Sequence, residues 1–220
     1  MRLDIFTLFP EAFEWFSAQR HVQNAVREGS EVRFVNYRDT TPLGAGQVDD
    51  TPYGGGAGMV LRVDVVDAAL EAAYGDQRAG RRIVLLEPSG RVFDEELARE
   101  LAAERELTLL CGRYEGVDER VREHLVTDTV SIGRFVVAGG ELPAMVVADA
   151  VLRKLPGSLG APESAIEESF SEALDGALEY PHYTRPASYR GWGVPEILLS
   201  GDHERVRGWR LERSRERAAG

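Results

Sequence analysis

The stretch Arg2-Leu3-Asp4-Ile5-Phe6-Thr7-Leu8-Phe9 is dense in β-formers and stops at Pro10, which predicts a strand. Glu11 to Glu28 carries apolar residues at 12, 13, 16, 22 and 26 and closes at Gly29, which predicts one helix. Glu31 to Val35 alternates as a second strand does. Val63 to Tyr74 is an amphipathic helix, and Arg82 to Leu86 a short apolar strand ended by the turn Glu87-Pro88-Ser89-Gly90. Asp94 is placed to cap a helix that runs to Glu104. Leu107 to Cys111 is another apolar strand, ended by Gly112. Val117 to His124 reads as a short helix, Thr127 to Ile132 as a strand ended by Gly133, and Leu142 to Leu155 as a strongly apolar helix ended by Pro156-Gly157. Strands alternating with helices predict an α/β fold, a parallel sheet with helices on both faces.

This pattern defines a first domain over residues 1–157. Residues 158–176 are acidic and hold Gly and Pro, which predicts a flexible linker, and 177–220 form a small Arg-rich second domain. No internal repeat or low-complexity tract interrupts the chain.

Composition narrows the class. Of 220 residues 43% are apolar and 29% charged, the balance of a soluble globular protein. No run approaches the roughly 18–20 apolar residues of a membrane span. Met1-Arg2-Leu3-Asp4 soon meets Pro10, Glu11 and Glu14, which is no signal peptide. The single cysteine, Cys111, excludes an internal disulfide framework and a cysteine zinc site, so a reduced, cytoplasmic protein is expected. A net charge of −11 argues against a nucleic-acid partner until its placement is considered. Residues 181–220 hold eight Arg against five acidic residues, whereas 156–180 hold six acidic residues and no basic one. Local charge governs phosphate contact, so RNA binding stays open, beside the plainer reading of a solvated tail helix.

In an open parallel sheet, ligands bind beyond the carboxyl ends of the strands. Three strands here end in unusual loops: Glu87 to Gly90, Gly112-Arg113-Tyr114-Glu115-Gly116, and Gly133-Arg134-Phe135-Val136-Val137-Ala138-Gly139-Gly140. Glycines there let backbone groups approach a ligand, which suits a nucleoside cofactor. Each alone reads as a tight βα turn; together they predict a site. No GxGxxG follows the first strand and no GxxxxGK[ST] occurs. His21, His124, His182 and His203 lack metal-ligand spacing, and Ser89 and Ser200 lack a patterned His/Asp partner. The loop Val48-Asp49-Asp50-Thr51-Pro52-Tyr53-Gly54-Gly55-Gly56-Ala57-Gly58-Met59 reads as a functional lid. Glu167-Glu168-Ser169-Phe170, taken alone, reads as solvated linker charge.

The segments VDDTPYGGGAGM, LCGRYEGVDERV, SIGRFVVAGGELPAM and PHYTRP resemble those of the bacterial tRNA (guanine-N1)-methyltransferase family of the SPOUT superfamily. The likeness runs in order from IFTLFPEAF to LLSGDH and GWRLERS, nearly the whole chain. It implies methylation of N1 of the guanine at tRNA position 37 with S-adenosylmethionine, a trefoil knot at the end of the first domain, and a small helical C-terminal domain that helps hold tRNA. It also implies a homodimer with each active site at the interface, and a need for Mg²⁺, for which no dedicated site is readable. This chain ends soon after Trp209, so part of the family's C-terminal helical region is expected to be missing. By motif, the cofactor is expected against Pro88, Gly112, Tyr114, Glu115, Ile132, Gly133, Arg134, Phe135, Val136, Val137, Gly139, Gly140 and Leu142. The family's catalytic Arg corresponds to Arg153. Its general base, an Asp in a D-S-F motif, corresponds to Glu168, which keeps the carboxylate but is one methylene longer. Two other readings follow from the same residues: an RNA-binding relative that has lost catalysis, with Glu168 as the lesion, and a SPOUT methyltransferase of rRNA, against which PHYTRP and the Gly-rich loop argue.

Overall fold

A computed structural model describes residues 1–160 and 166–219, in two compact units, Met1–Gly160 and Ala161–Gly220. In the first, five strands form one parallel sheet. They are β1 (Arg2–Thr7), β2 (Glu31–Asn36), β5 (Arg82–Val92), β6 (Glu106–Cys111) and β7 (Asp128–Ser131), in the order β2-β1-β6-β5-β7. Two short strands, β3 (Asp49–Asp50) and β4 (Val60–Leu61), make a separate antiparallel ribbon.

Successive side chains on a strand face opposite sides, and here both sides are buried. Leu3, Ile5, Val84, Leu107 and Leu109 join α4 (Glu95–Ala102) and α6 (Glu141–Leu152) in one core. Phe6, Leu8, Ile83, Leu85 and Leu110 meet α3 (Val63–Tyr74) in the other. The apolar strands are therefore nearly unbroken hydrophobic runs. α3 keeps its sequence-read bounds, and the Asp94 side chain caps α4 by accepting from Leu97 N at 2.8 Å. α5 (Glu119–His124) is a short helix capped by Asp118.

Two elements differ from the sequence pattern. Residues 10–27 form a 3₁₀ turn, then α1 (Glu14–Ser17) and α2 (Arg20–Arg27), not one helix. Gln19 between them is extended, at φ −65° and ψ 141°, so the chain turns there and both segments reach the core through Phe13, Phe16 and Val22. The other is β5, which does not end at Leu86. It runs on to Val92 with an irregularity, since Leu86 and Arg91 both pair with Val130 of β7 and residues 87–90 loop out between them. Gly90 returns so closely that a Cβ there would overlap the backbone of Thr129 and Val130.

The amino ends of the strands are closed by charge. Asp4 is fully buried and receives Arg33 through two hydrogen bonds of 2.9 and 3.0 Å and Tyr74 Oη at 2.9 Å. Arg81, also buried, lies 3.5 Å from Asp4, donates to Glu106 at 2.5 Å, and stacks on the Tyr74 ring at 3.9 Å. Burial raises the Tyr74 phenol well above its ordinary range, so it stays a neutral donor.

The first unit extends to Gly160 rather than 157. Ser158 is buried, accepts from Asn24 Nδ2 at 3.0 Å and donates to the Arg153 carbonyl at 2.9 Å. Residues 161–165 of the expected linker lie outside the described residues. The remainder is folded into the second unit: Phe170 N donates to Ala177 O, and Ser171 and Leu174 are buried. That unit also holds a hairpin of β8 (Ser188–Tyr189) and β9 (Trp192–Gly193), then α7 (Glu196–Leu199) and α8 (His203–Ala219).

Candidate functional site

Because β6, β5 and β7 are neighbours, their three carboxyl-end loops converge. They enclose a cavity of about 390 Å³. Its wall includes Pro88, Gly112, Tyr114, Glu115, Ile132, Gly133, Phe135, Val136, Val137, Gly139 and Gly140. Two expected residues do not line it. Arg134 is exposed in the loop, and Leu142 sits 62% exposed on the first turn of α6. The loops are locked backbone to backbone, with Gly140 N donating to Gly112 O at 2.8 Å. A Cβ on Gly140 would come 2.5 Å from Cys111 Cα and 2.7 Å from Gly112 N, so only glycine fits.

A charged floor underlies the cavity and escaped the sequence reading. Glu141, the first residue of α6, is buried. It accepts from Thr7 Oγ1 at 2.8 Å and lies 3.6 Å from Arg113 Nη1. The Arg113 guanidinium also covers the Phe9 ring at 4.8 Å. Glu141 thus ties the end of β1 and the loop after β6 to the start of α6. The only sequence signal is an acidic residue at a helix N-terminus after Gly139-Gly140, too common to single out. Beside it, burial first and the Glu141 charge second push the Cys111 thiol well up. Burial does the same to the Tyr37 phenol. Both groups are therefore neutral at ordinary pH.

The Gly-rich segment does not line this cavity. Instead it docks on the cavity's second loop: Glu115 N donates to Met59 O and Leu61 N to Gly116 O, each at 3.0 Å. Gly54, Gly55, Gly56 and Gly58 all have positive φ, a backbone that only glycine adopts freely in succession. Tyr53 at its tip is 99% exposed.

Arg153 caps the carboxyl end of α6 and is half-buried. Glu168 is half-buried in the second unit, where its carbonyl accepts from Ser171 N at 3.0 Å. Phe170, two residues on, is held at φ 68°, a strained value for a non-glycine residue. The neighbouring Glu167 is engaged: Tyr180 Oη donates to it at 2.8 Å and Arg210 lies 3.9 Å away. Among the described residues no group of three or more His, Cys, Asp or Glu is arranged to hold a metal ion. Among the described residues no helix is long and apolar enough to cross a membrane.

Fold and cavity together define an open-sheet α/β protein with a cavity at the carboxyl ends of its strands. Over residues 1–220 the chain matches the family described as tRNA (Guanine-1)-methyltransferase TrmD. It is 51% identical over 215 residues to the tRNA (guanine-N(1)-)-methyltransferase of Brevibacillus brevis, covering 97% of this chain and 86% of that protein. It is 51% identical over 216 residues to the protein of that name from Bacillus subtilis (97% and 87% covered), and 50% over 217 residues to that from Geobacter metallireducens (98% and 87%). The chain belongs to the tRNA (guanine-1)-methyltransferase family.

Proposed function

We propose that this chain methylates N1 of the guanine at position 37 of tRNA, using S-adenosylmethionine bound among the three loops. The observation that carries the reading is the cavity itself, walled by backbone and apolar groups from three adjacent strand ends. Its volume lies in the range of small-ligand sites. Its chemistry fits the cofactor. Glu87 and Glu115 suit a sulfonium and an ammonium, Arg113 suits a carboxylate, and the phosphate-binding turn that the sequence lacks is not needed. S-adenosylmethionine supplies the methyl group.

The remaining chemistry falls to side chains. N1 of guanine attacks only when its proton is removed, and Glu168 is the carboxylate for that task. Arg153 offsets the negative charge that develops on O6. Interlocked loops, with Gly90 against β7 and Gly140 against the end of β6, support the knot. Phe135, Val136, Leu142 and Val146, all exposed near the cavity, support burial against a second copy, and so a homodimer that completes the site. Mg²⁺ and a cytoplasmic location follow from the family alone.

The test is single-turnover methylation of a position-37 guanine transcript. Glu168→Gln lowers the rate by about 10²–10⁴-fold while binding of S-adenosylhomocysteine persists. Glu168→Asp retains activity. A near-normal rate for Glu168→Gln with collapse for Glu167→Gln overturns the assignment of the base. If the wild-type chain binds tRNA without methylating it, the reading of an RNA-binding relative replaces this one.

A further inference from the structure

The hairpin β8–β9 in the second unit is small, yet it presents more exposed aromatic surface than its size requires. Tyr189 and Trp192 are directly opposed across the two strands and share one face. Their rings lie 5.9 Å apart at 59°, and they are 53% and 70% exposed. Between them, Arg190 and Gly191 form the two-residue turn with φ of 53° and 83°. Both values are positive, as in the tightest hairpin turns, where Asn-Gly is usual. Arginine at the first turn position is unfavourable against that preference, since its Cβ crowds the following carbonyl oxygen. Its guanidinium sits 5.2 Å over the Tyr189 ring. A two-stranded ribbon is marginal in water, and these rings add little to its own core.

Charge points to the occupant. From residue 181 to 195 the chain carries Arg185 and Arg190 and no acidic residue, although it is strongly acidic elsewhere. Exposed aromatic rings beside a guanidinium, free of carboxylates, form a platform for a base flanked by its phosphate. A partner protein surface of opposite charge explains the arginines but not two rings left open on one face.

We propose that the Tyr189–Trp192 face stacks an unpaired nucleotide base of the tRNA substrate, with Arg190 on the adjoining phosphate. This rests on the tRNA reading above and extends it to a contact outside the cofactor cavity. Stacking is tolerant of base identity, so the hairpin adds affinity and holds the anticodon branch rather than selecting a sequence.

The experiment measures binding of an unmodified tRNA transcript to the full chain by filter retention across a salt series, with calorimetry of S-adenosylhomocysteine as a control. Trp192→Ala and Tyr189→Ala each weaken tRNA binding by about 5- to 150-fold, with an unchanged salt slope, because stacking releases no counterions. Trp192→Phe restores most of the affinity. Arg190→Gln lowers the magnitude of the slope by about 0.7–0.9, the value for one phosphate. Cofactor affinity is unchanged in all four. Wild-type tRNA affinity in both alanine variants overturns the proposal. So does loss of the dimer, seen by light scattering in the same variants, which reassigns the face to a contact between copies. If the wild-type chain binds no tRNA at all, the tRNA reading itself fails, an outcome visible before any variant is made.

Discussion

At the amino ends of the strands, Asp4, Arg33, Arg81, Tyr74 and Thr108 fill the space between elements with paired polar groups. At the carboxyl ends of the same strands, glycine-rich loops enclose about 390 Å³ of open cavity. β1 serves both ends: Asp4 anchors the first, and Thr7, three residues on, donates to Glu141 beneath the second. One end consists of interactions that only stabilise, and the other leaves room for a ligand.

The largest expected effect lies at the closed end. Asp4→Asn takes the carboxylate from Arg33 and leaves the buried Arg81 with Glu106 alone. Urea unfolding is expected to show a loss of about 3–5 kcal/mol, with cofactor affinity per folded molecule unchanged. A fall in affinity as large as the fall in stability breaks the division between the two ends.

Next comes Gly140→Ala. Its methyl group meets backbone of Cys111 and Gly112, which cannot rotate away, so a cost of about 1–3 kcal/mol is expected together with weakened cofactor binding. Gly112→Ala is the sharper control, since its methyl meets only Val117 Cγ2 at 3.2 Å and Leu86 O at 3.8 Å. Calorimetry with S-adenosylhomocysteine is expected to rank Gly140→Ala well below Gly112→Ala in affinity. Equal losses place the cavity's sensitivity elsewhere than in this contact.

Glu141→Gln keeps an acceptor for Thr7 but removes the charge that faces Arg113. A stability change of about 1 kcal/mol is expected, with a larger proportional loss in cofactor affinity as Arg113 is released. Stability that falls with affinity intact makes Glu141 a purely structural group.

The smallest effect concerns α8. Arg205 and Arg207 are exposed, whereas Arg210 is half-buried over the Tyr180 ring at 4.7 Å. Arg205→Gln and Arg207→Gln together are expected to leave stability within about 0.5 kcal/mol and to flatten the salt dependence of tRNA binding. An unchanged slope returns this face to simple solvation.

The sequence pattern was informative wherever one element decides its own shape. α3 begins and ends where its apolar spacing does, β6 is an apolar run bounded by glycine, and Asp94 caps α4 as its position predicts. The three loops that line the cavity were legible for the same reason, since each follows a recognisable strand. What pattern could not show depends on partners far along the chain. Asp4 looks like any polar residue in a strand until Arg33 and Arg81 arrive. The break at Gln19 and the continuation of β5 past Gly90 follow from packing against α6 and β7. Glu141 gains its meaning only from Thr7, which precedes it by 134 residues.

The position of β1 in the sheet also has a consequence for synthesis. Its inner partner is β6, with Arg2 opposite Glu106. β1 therefore has only β2 to pair with until about a hundred further residues are made. At roughly 5–20 residues per second that is a wait of about 5–20 s, during which one edge of an apolar strand stays unpaired. Nascent chains arrested before residue 106 are expected to be protease-sensitive throughout. Those arrested once β6 has cleared the exit tunnel gain their first protected fragment. β1 can thus find its inner partner only after about a hundred intervening residues have been made, and in that interval its apolar edge is most exposed to aggregation.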